Sequence, residues 1–217
     1  MDLTDAMRCA PTSRRFTDEP VAEEALRRAL DSARFAPSGG NRQGWRVIVV
    51  RDAERRRAIR DLYLPPWRAY MEETGGAKML ADPDGFDAVR VRMVRGADEY
   101  AQRMDEIPVH LLIGVQLSDV LATDAKLPRQ SIVGGASIYP FVQNLLLALR
   151  AEELGAAMTT LLVPAEAQVK ELLAIPDDVA LAAHVGVGHR ADPWPKRLAR
   201  KPVEEFAFAE RYGEPLA

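Results

Sequence analysis

Three short apolar runs lie far apart in the chain, at residues 45–50 (WRVIVV), 109–115 (VHLLIGV) and 179–187 (VALAAHVGV). Each is apolar at successive positions and enriched in β-branched side chains, the pattern of a strand buried in a core. A buried strand cannot satisfy its backbone alone, so these runs must meet, with or without a fourth, in one central sheet. The stretches between them carry helical patterning, which predicts an α+β chain. A length of 217 residues fits one domain.

The helices can be read from their spacing. Glu19-Pro20 opens a segment in which Val21, Leu26, Leu30 and Ala33 recur on one helical face, and Ala36-Pro37-Ser38-Gly39-Gly40 stops it. Residues 130–153 place Phe141, Leu145 and Leu149 at helical spacing, with more apolar side chains on the other faces. This predicts a central helix covered all round. Pro140 lacks an N–H, so that helix either starts near Tyr139 or kinks there. The apolar run 138–149 is too short for a bilayer and holds Gln143 and Asn144, so no membrane span is expected. Residues 53–106 show no strand signal. They set Tyr63, Pro65-Pro66-Trp67 and Tyr70 among charges and are punctuated by Gly75-Gly76 and Pro83-Asp84-Gly85. They read as a helical excursion, either a lid over a ligand site or helices packed on the sheet. Trp67 and Tyr70 accordingly read as core anchors or as a stacking surface for a substrate.

Charge and motif tests exclude several functions. With 29 basic and 32 acidic residues the formal net charge is -3, so no strong field draws the chain to nucleic acid or anionic membranes. The single Cys9 cannot form an internal disulfide, and the start MDLTDAMRCAPTSRRF has no apolar stretch; a cytoplasmic protein is expected. His110, His184 and His189 lack metal-binding spacing, and no metal is predicted. Gly186 to Ala191 fits the letters of a dinucleotide fingerprint, but Pro193 and Pro195 leave no room for its helix. Gly135-Ala136-Ser137 lacks the closing glycine of a nucleophile elbow, which removes a hydrolase reading.

Three segments carry binding chemistry. Residues 36–45 (APSGGNRQGW) leave a helix and run straight into a strand. Gly39 and Gly40 allow close backbone approach, Ser38 offers a hydroxyl, and the amides of Asn41 and Gln43 present donors and acceptors to a polar heteroaromatic edge. The same composition also serves a plain helix-to-strand connection. Residues 12–16 (TSRRF) set two hydroxyls beside two guanidiniums, and residues 196–205 (KRLARKPVEE) form a second basic cluster. The two clusters suit one phosphate if they meet, and solvated surface if they do not.

In order and spacing, residues 12–16 with Asp18-Glu19-Pro20-Val21, then APSGGNRQGW, then residues 200–205 (RKPVEE) resemble the nitroreductase family. Residues 134–144 (GGASIYPFVQN), Leu154-Gly155 and residues 158–161 (MTTL) are similar to that family's central helix and the turn after it, leaving 53–106 unmatched. The resemblance implies a central, mostly antiparallel sheet flanked by helices, with a long central helix and the helical excursion. It implies a homodimer that shares two FMN sites, with NADH or NADPH as reductant. Thr12, Ser13 and Arg14 would meet the phosphate, ribityl chain and ring edge, and Arg200 would complete the phosphate site. Pro37, Ser38, Gly39, Asn41 and Gln43 would line the ring from the partner subunit. Met158, Thr159, Thr160 and Leu161 would lie over it, with a backbone N–H of Thr160 or Leu161 at the flavin N5.

Electrons would pass to a nitroaromatic, a quinone or another planar acceptor in a ping-pong cycle, with no side-chain nucleophile. The other readings are an oxygen-dependent, FMN-cleaving enzyme that makes dimethylbenzimidazole and a flavin-binding protein without turnover. The chain departs from the family pattern at two places. Ala10 and Pro11 stand where many members carry basic residues, and Thr160-Leu161 where many carry Glu-Gly or Gly-Gly.

Overall fold

The computed structural model describes residues 1–216. Its four strands, β1 (Trp45–Val50), β2 (Val109–Gln116), β3 (Leu154–Thr159) and β4 (Val179–His189), form one sheet in the order β1-β2-β4-β3. Every neighbouring pair is antiparallel, with Trp45 opposite Val115, Val109 opposite Val187 and Leu154 opposite His189. The α+β class and the antiparallel sheet expected from the sequence are therefore present.

The sheet is covered on both faces, which is why its strands read as unbroken apolar runs. On one face Val109, Leu111, Ile113, Ala183, Val185 and Val187 pack with α2 (Glu23–Ala33) and α6 (Tyr139–Ala151). The small side chains Ala25, Ala29 and Ala33 on α2 let it approach α6 closely. On the other face Leu112 and Leu181 pack with α3 (Ala53–Glu73), α5 (Ala88–Gln102) and α7 (Glu166–Leu173). A bulge at Ile113/Gly114 breaks the two-residue alternation, so Leu181 faces the opposite layer from Ala183. Glycine is needed there, because a Cβ on Gly114 would lie 2.8 Å from Val179 Cγ1 and 3.1 Å from Ala180 O.

At one boundary the structure decides between the two expected alternatives, and at another it differs from the sequence expectation. The central helix starts at Tyr139, with Pro140 in its first turn, and residues 133–137 form a separate 3-10 segment. Gly135 explains that close approach, since a Cβ there would lie 2.5 Å from the Tyr139 ring. Met158 and Thr159, expected in a turn, are the last two residues of β3. Its sequence, LGAAMT, carries almost no strand propensity. Pairing with β4 on one side and with residues 12–13 on the other makes it a strand.

Residues 53–106 contain α3, α4 (Gly76–Ala81), α5 and two 3-10 turns, all between β1 and β2. Asp52 caps α3 by accepting the Arg55 N–H at 2.9 Å. Trp67 Nε1 donates to Asp98 Oδ1 at 2.8 Å, tying α3 to α5. Trp67 is thereby a buried anchor, whereas Tyr70, one turn further on, remains 43% exposed. Among the described residues no helix is long and apolar enough to cross a membrane, and no group of three or more His, Cys, Asp or Glu side chains is placed to hold a metal ion.

Candidate cofactor site

Residues 12–16 run extended along the outer edge of β3. The Ser13 N–H donates to Ala156 O at 2.8 Å, Thr12 bridges Ala156 in parallel, and Phe16 bridges Arg190. An extended chain turns alternate side chains to opposite sides. Thr12 and Arg14 therefore point outward, while Ser13 is fully buried with its hydroxyl accepting from Arg190 Nη1 at 3.0 Å. Ser13, expected from the sequence as a ligand, instead turns its side chain to the protein interior. Its place is fixed by Gly155, where a Cβ would lie 2.9 Å from both Ser13 Cβ and Oγ. Gly155→Val should push residues 12–14 off the strand, lowering stability by about 1–3 kcal/mol and weakening ligand binding. Thermal melts with and without flavin would read both effects, and an unchanged ligand-induced shift would contradict this placement.

Thr12 and Met158 stand between two adjoining cavities. The larger, about 590 Å³, is walled by Arg14, Tyr63, Trp67, Tyr70 and residues 157–161. Its aromatic wall is a ladder on α3, with ring centroids 6.3 Å apart for Tyr63 and Trp67 and 5.9 Å for Trp67 and Tyr70. Tyr63 Oη lies 3.3 Å from Thr159 Oγ1, which also accepts the Leu161 N–H at 3.1 Å. Of the two expected N5 donors, Leu161 is thus already engaged with a side chain. Burial raises the Tyr63 phenol above its ordinary pKa, so it stays protonated at neutral pH.

The smaller cavity, about 240 Å³, is lined by Ala10, Pro11, Thr12, Gln143, Arg150, Trp194 and Arg200, among others. The two basic segments expected to meet at a phosphate do converge here, through Thr12 and Arg200. The sequence reading missed Arg150. It is only 7% exposed, its guanidinium carbon lies 3.8 Å from the centroid of the Trp194 ring, and Nε and Nη1 have no hydrogen-bond partner among the described residues. A sequence signal existed, because a helix covered all round has no solvent face on which to put an arginine.

The remaining expected contacts lie elsewhere on the chain. Pro37, Ser38 and Gly39 line a third cavity of about 400 Å³ with Asp119, Leu121, Val133 and Ser137. Gly40, Asn41 and Gln43 all have positive φ, at 61°, 53° and 53°. For Gln43 that conformation is costly and must be enforced by its surroundings. The Gln43 N–H donates to Ser38 Oγ and the Gly39 N–H to Ser137 Oγ, both at 3.0 Å, and Gln43 Nε2 donates to Asn41 Oδ1 at 3.1 Å. The loop is a wound backbone nest that leaves Asn41 and Gln43 exposed.

The sequence profile of the Nitroreductase family matches residues 11–189. The chain is 30% identical over 184 residues to an NADH dehydrogenase of Thermus thermophilus, covering 82% of each protein. It is 28% identical over 212 residues to a 5,6-dimethylbenzimidazole synthase of Rhodospirillum rubrum, covering 94% of this chain and 87% of that one. A crystal structure of oxidized iodotyrosine deiodinase bound to FMN and 3-iodo-L-tyrosine superposes with a TM-score of 0.66 at 25% identity, covering 98% of this chain and 99% of that one.

Proposed function

Because this chain belongs to the nitroreductase family, we propose that it is an oxidoreductase that holds FMN between two copies of itself and uses NADH or NADPH as reductant. The observation that carries this reading is the pair of adjoining cavities sharing Thr12 and Met158. One is small and cationic, the other large with an aromatic wall, and together they suit a molecule with an anion at one end and a flat ring at the other. The FMN bound in the related deiodinase structure supports the same assignment.

Once bound, FMN would supply the two-electron carrier, taking hydride from NAD(P)H and passing electrons to a nitroaromatic, quinone or other planar acceptor. The residues supply binding and electrostatics. Thr12 and Arg200 would hold the phosphate, with a hydroxyl donor and a fixed positive charge. Arg14, exposed at the rim of the larger cavity, would stabilise negative charge on the ring edge. Tyr63, Trp67 and Tyr70 would exclude water and offer a stacking face to an acceptor. The link from Tyr63 through Thr159 to Leu161 would hold residues 158–161 in place over the ring.

In one chain Pro37, Ser38 and Gly39 line a different cavity from Thr12 and Arg14, which supports a site completed by a second copy. The exposed Phe35, Leu117, Leu121 and Ile132 near that loop are the apolar surface such a dimer would bury. A second reading, the FMN-cleaving synthase, is favoured by the Rhodospirillum relative that spans nearly the whole chain. Stopped-flow mixing of the FMN-loaded protein with NADH or NADPH separates the two. Bleaching of the oxidised flavin band followed by reoxidation by a quinone is expected for the oxidoreductase. Absence of bleaching with both nucleotides, together with aerobic release of dimethylbenzimidazole from pre-reduced FMN, would transfer the assignment to the synthase.

A further inference from the structure

We propose that Arg150 is a phosphate ligand, and that its guanidinium, stacked on Trp194, makes this chain select a phosphorylated flavin over the unphosphorylated one. The inference rests on the FMN reading above and adds a residue that the expected set lacks. Arg150 projects from the last turn of α6 into the small cavity that also holds Thr12 and Arg200. A buried cation without a hydrogen-bonded counter-charge is unfavourable, and among the described residues no carboxylate lines that cavity to neutralise it. An anionic ligand would resolve the imbalance.

Arg190 also faces Trp194, at 5.4 Å, but its nitrogens are spent on Ser13 Oγ and Pro193 O. Arg150 Nε and Nη1 have no hydrogen-bond partner among the described residues, so the same indole carries one structurally engaged guanidinium and one with donors to spare. The N-terminal wall of the cavity, Ala10 and Pro11, offers no charge, and the Arg200 Nη1 donates to the neighbouring Ala199 O at 2.7 Å. A cation delivered from the helix supplies what that wall lacks. Stacking on Trp194 fixes the guanidinium plane, and a fixed planar fork matches the oxygens of a phosphate better than a mobile ammonium does. Gln143, on the same helix and lining the same cavity, adds an amide donor.

The test compares dissociation constants for FMN and riboflavin, measured by flavin fluorescence quenching on flavin-free wild type, Arg150→Met and Arg150→Lys. The unfolding midpoint of each is also recorded with and without millimolar inorganic phosphate. Arg150→Met should weaken FMN by about ten- to a hundredfold, the range of a charge-assisted contact. It should leave riboflavin within about threefold and abolish the phosphate-induced shift. Arg150→Lys should fall between the two, keeping the charge and losing the stacked plane, and it serves as the folded reference if the methionine variant is poorly behaved. Equal FMN affinity in wild type and Arg150→Met would overturn the inference while leaving the FMN reading intact. Parallel loss of both flavins would also overturn it, since it would mark Arg150 as a packing residue. A wild-type protein that takes up neither flavin would defeat the FMN reading and this inference with it.

Discussion

Mixing two defective chains should restore FMN binding. In a shared site, one copy contributes Arg14 and the other the 37–43 loop, so Arg14→Ala and the Asn41→Ala/Gln43→Ala pair damage opposite halves. Each homodimer then has two damaged sites. A mixed dimer instead has one site with both halves intact and one with both halves altered. Random reassortment makes half of the dimers mixed, so about a quarter of all sites should regain wild-type affinity. Arg14→Ala alone should weaken FMN by roughly tenfold or more, as loss of a charged contact does. The readout is a biphasic FMN titration of co-refolded chains, with a tight phase near that fraction. A titration with no tight phase would place the whole site within one chain, contrary to the separate cavities of Thr12 and Pro37.

Much of the architecture could be read from local pattern, because its strands are buried on both faces and its helices carry their own punctuation. The runs at 45–50, 109–115 and 179–187 match three strands to within two residues, since β-branched runs leave few other conformations open. β3 escaped because Gly155, Ala156 and Ala157 have no preference of their own; their neighbours decide their conformation. The site was legible to a different degree. Residue type and order singled out residues 12–16, 37–43 and 196–205, but not the side each residue faces. Residue type does not separate Ser13 from Thr12 and Arg14, whereas two-residue alternation along this extended segment turns the middle side chain inward. Arg150 was missed for the converse reason, since a lone arginine in a leucine-rich helix carries no motif. Only the conflict between its charge and its helix's burial marked it out.

The strongest pH dependence of folding should come from a histidine pair remote from the flavin. His110 on β2 and His184 on β4 are both fully buried, with His184 Nε2 3.1 Å from His110 Nδ1 and His110 Nε2 2.9 Å from Met104 O. One neutral arrangement satisfies both contacts: each ring carries its proton on Nε2, His184 donating to His110 and His110 to the carbonyl. Burial pushes His110 down to about 4, with the nearby Arg56 guanidinium adding to the effect. Burial and the neighbouring ring push His184 well below its ordinary value. The unfolded chain binds protons at both rings below about pH 6.5, while the folded chain does not. Stability is therefore full above that pH and falls as the pH drops toward 4, by about 1.4 kcal/mol per unit for each histidine. Between pH 7 and 4.5 His110 alone should contribute a loss of about 2 kcal/mol, and His184 adds to it in the same direction. Asp124 does not compete in this window, because bonds from the Ile132 N–H, Ser131 and Arg129 hold its carboxyl down to about 2. Urea unfolding at half-unit pH steps would measure the slope. His110→Leu/His184→Leu should flatten it whatever its absolute stability, and an equally steep slope in that double variant would trace the acid sensitivity to other groups.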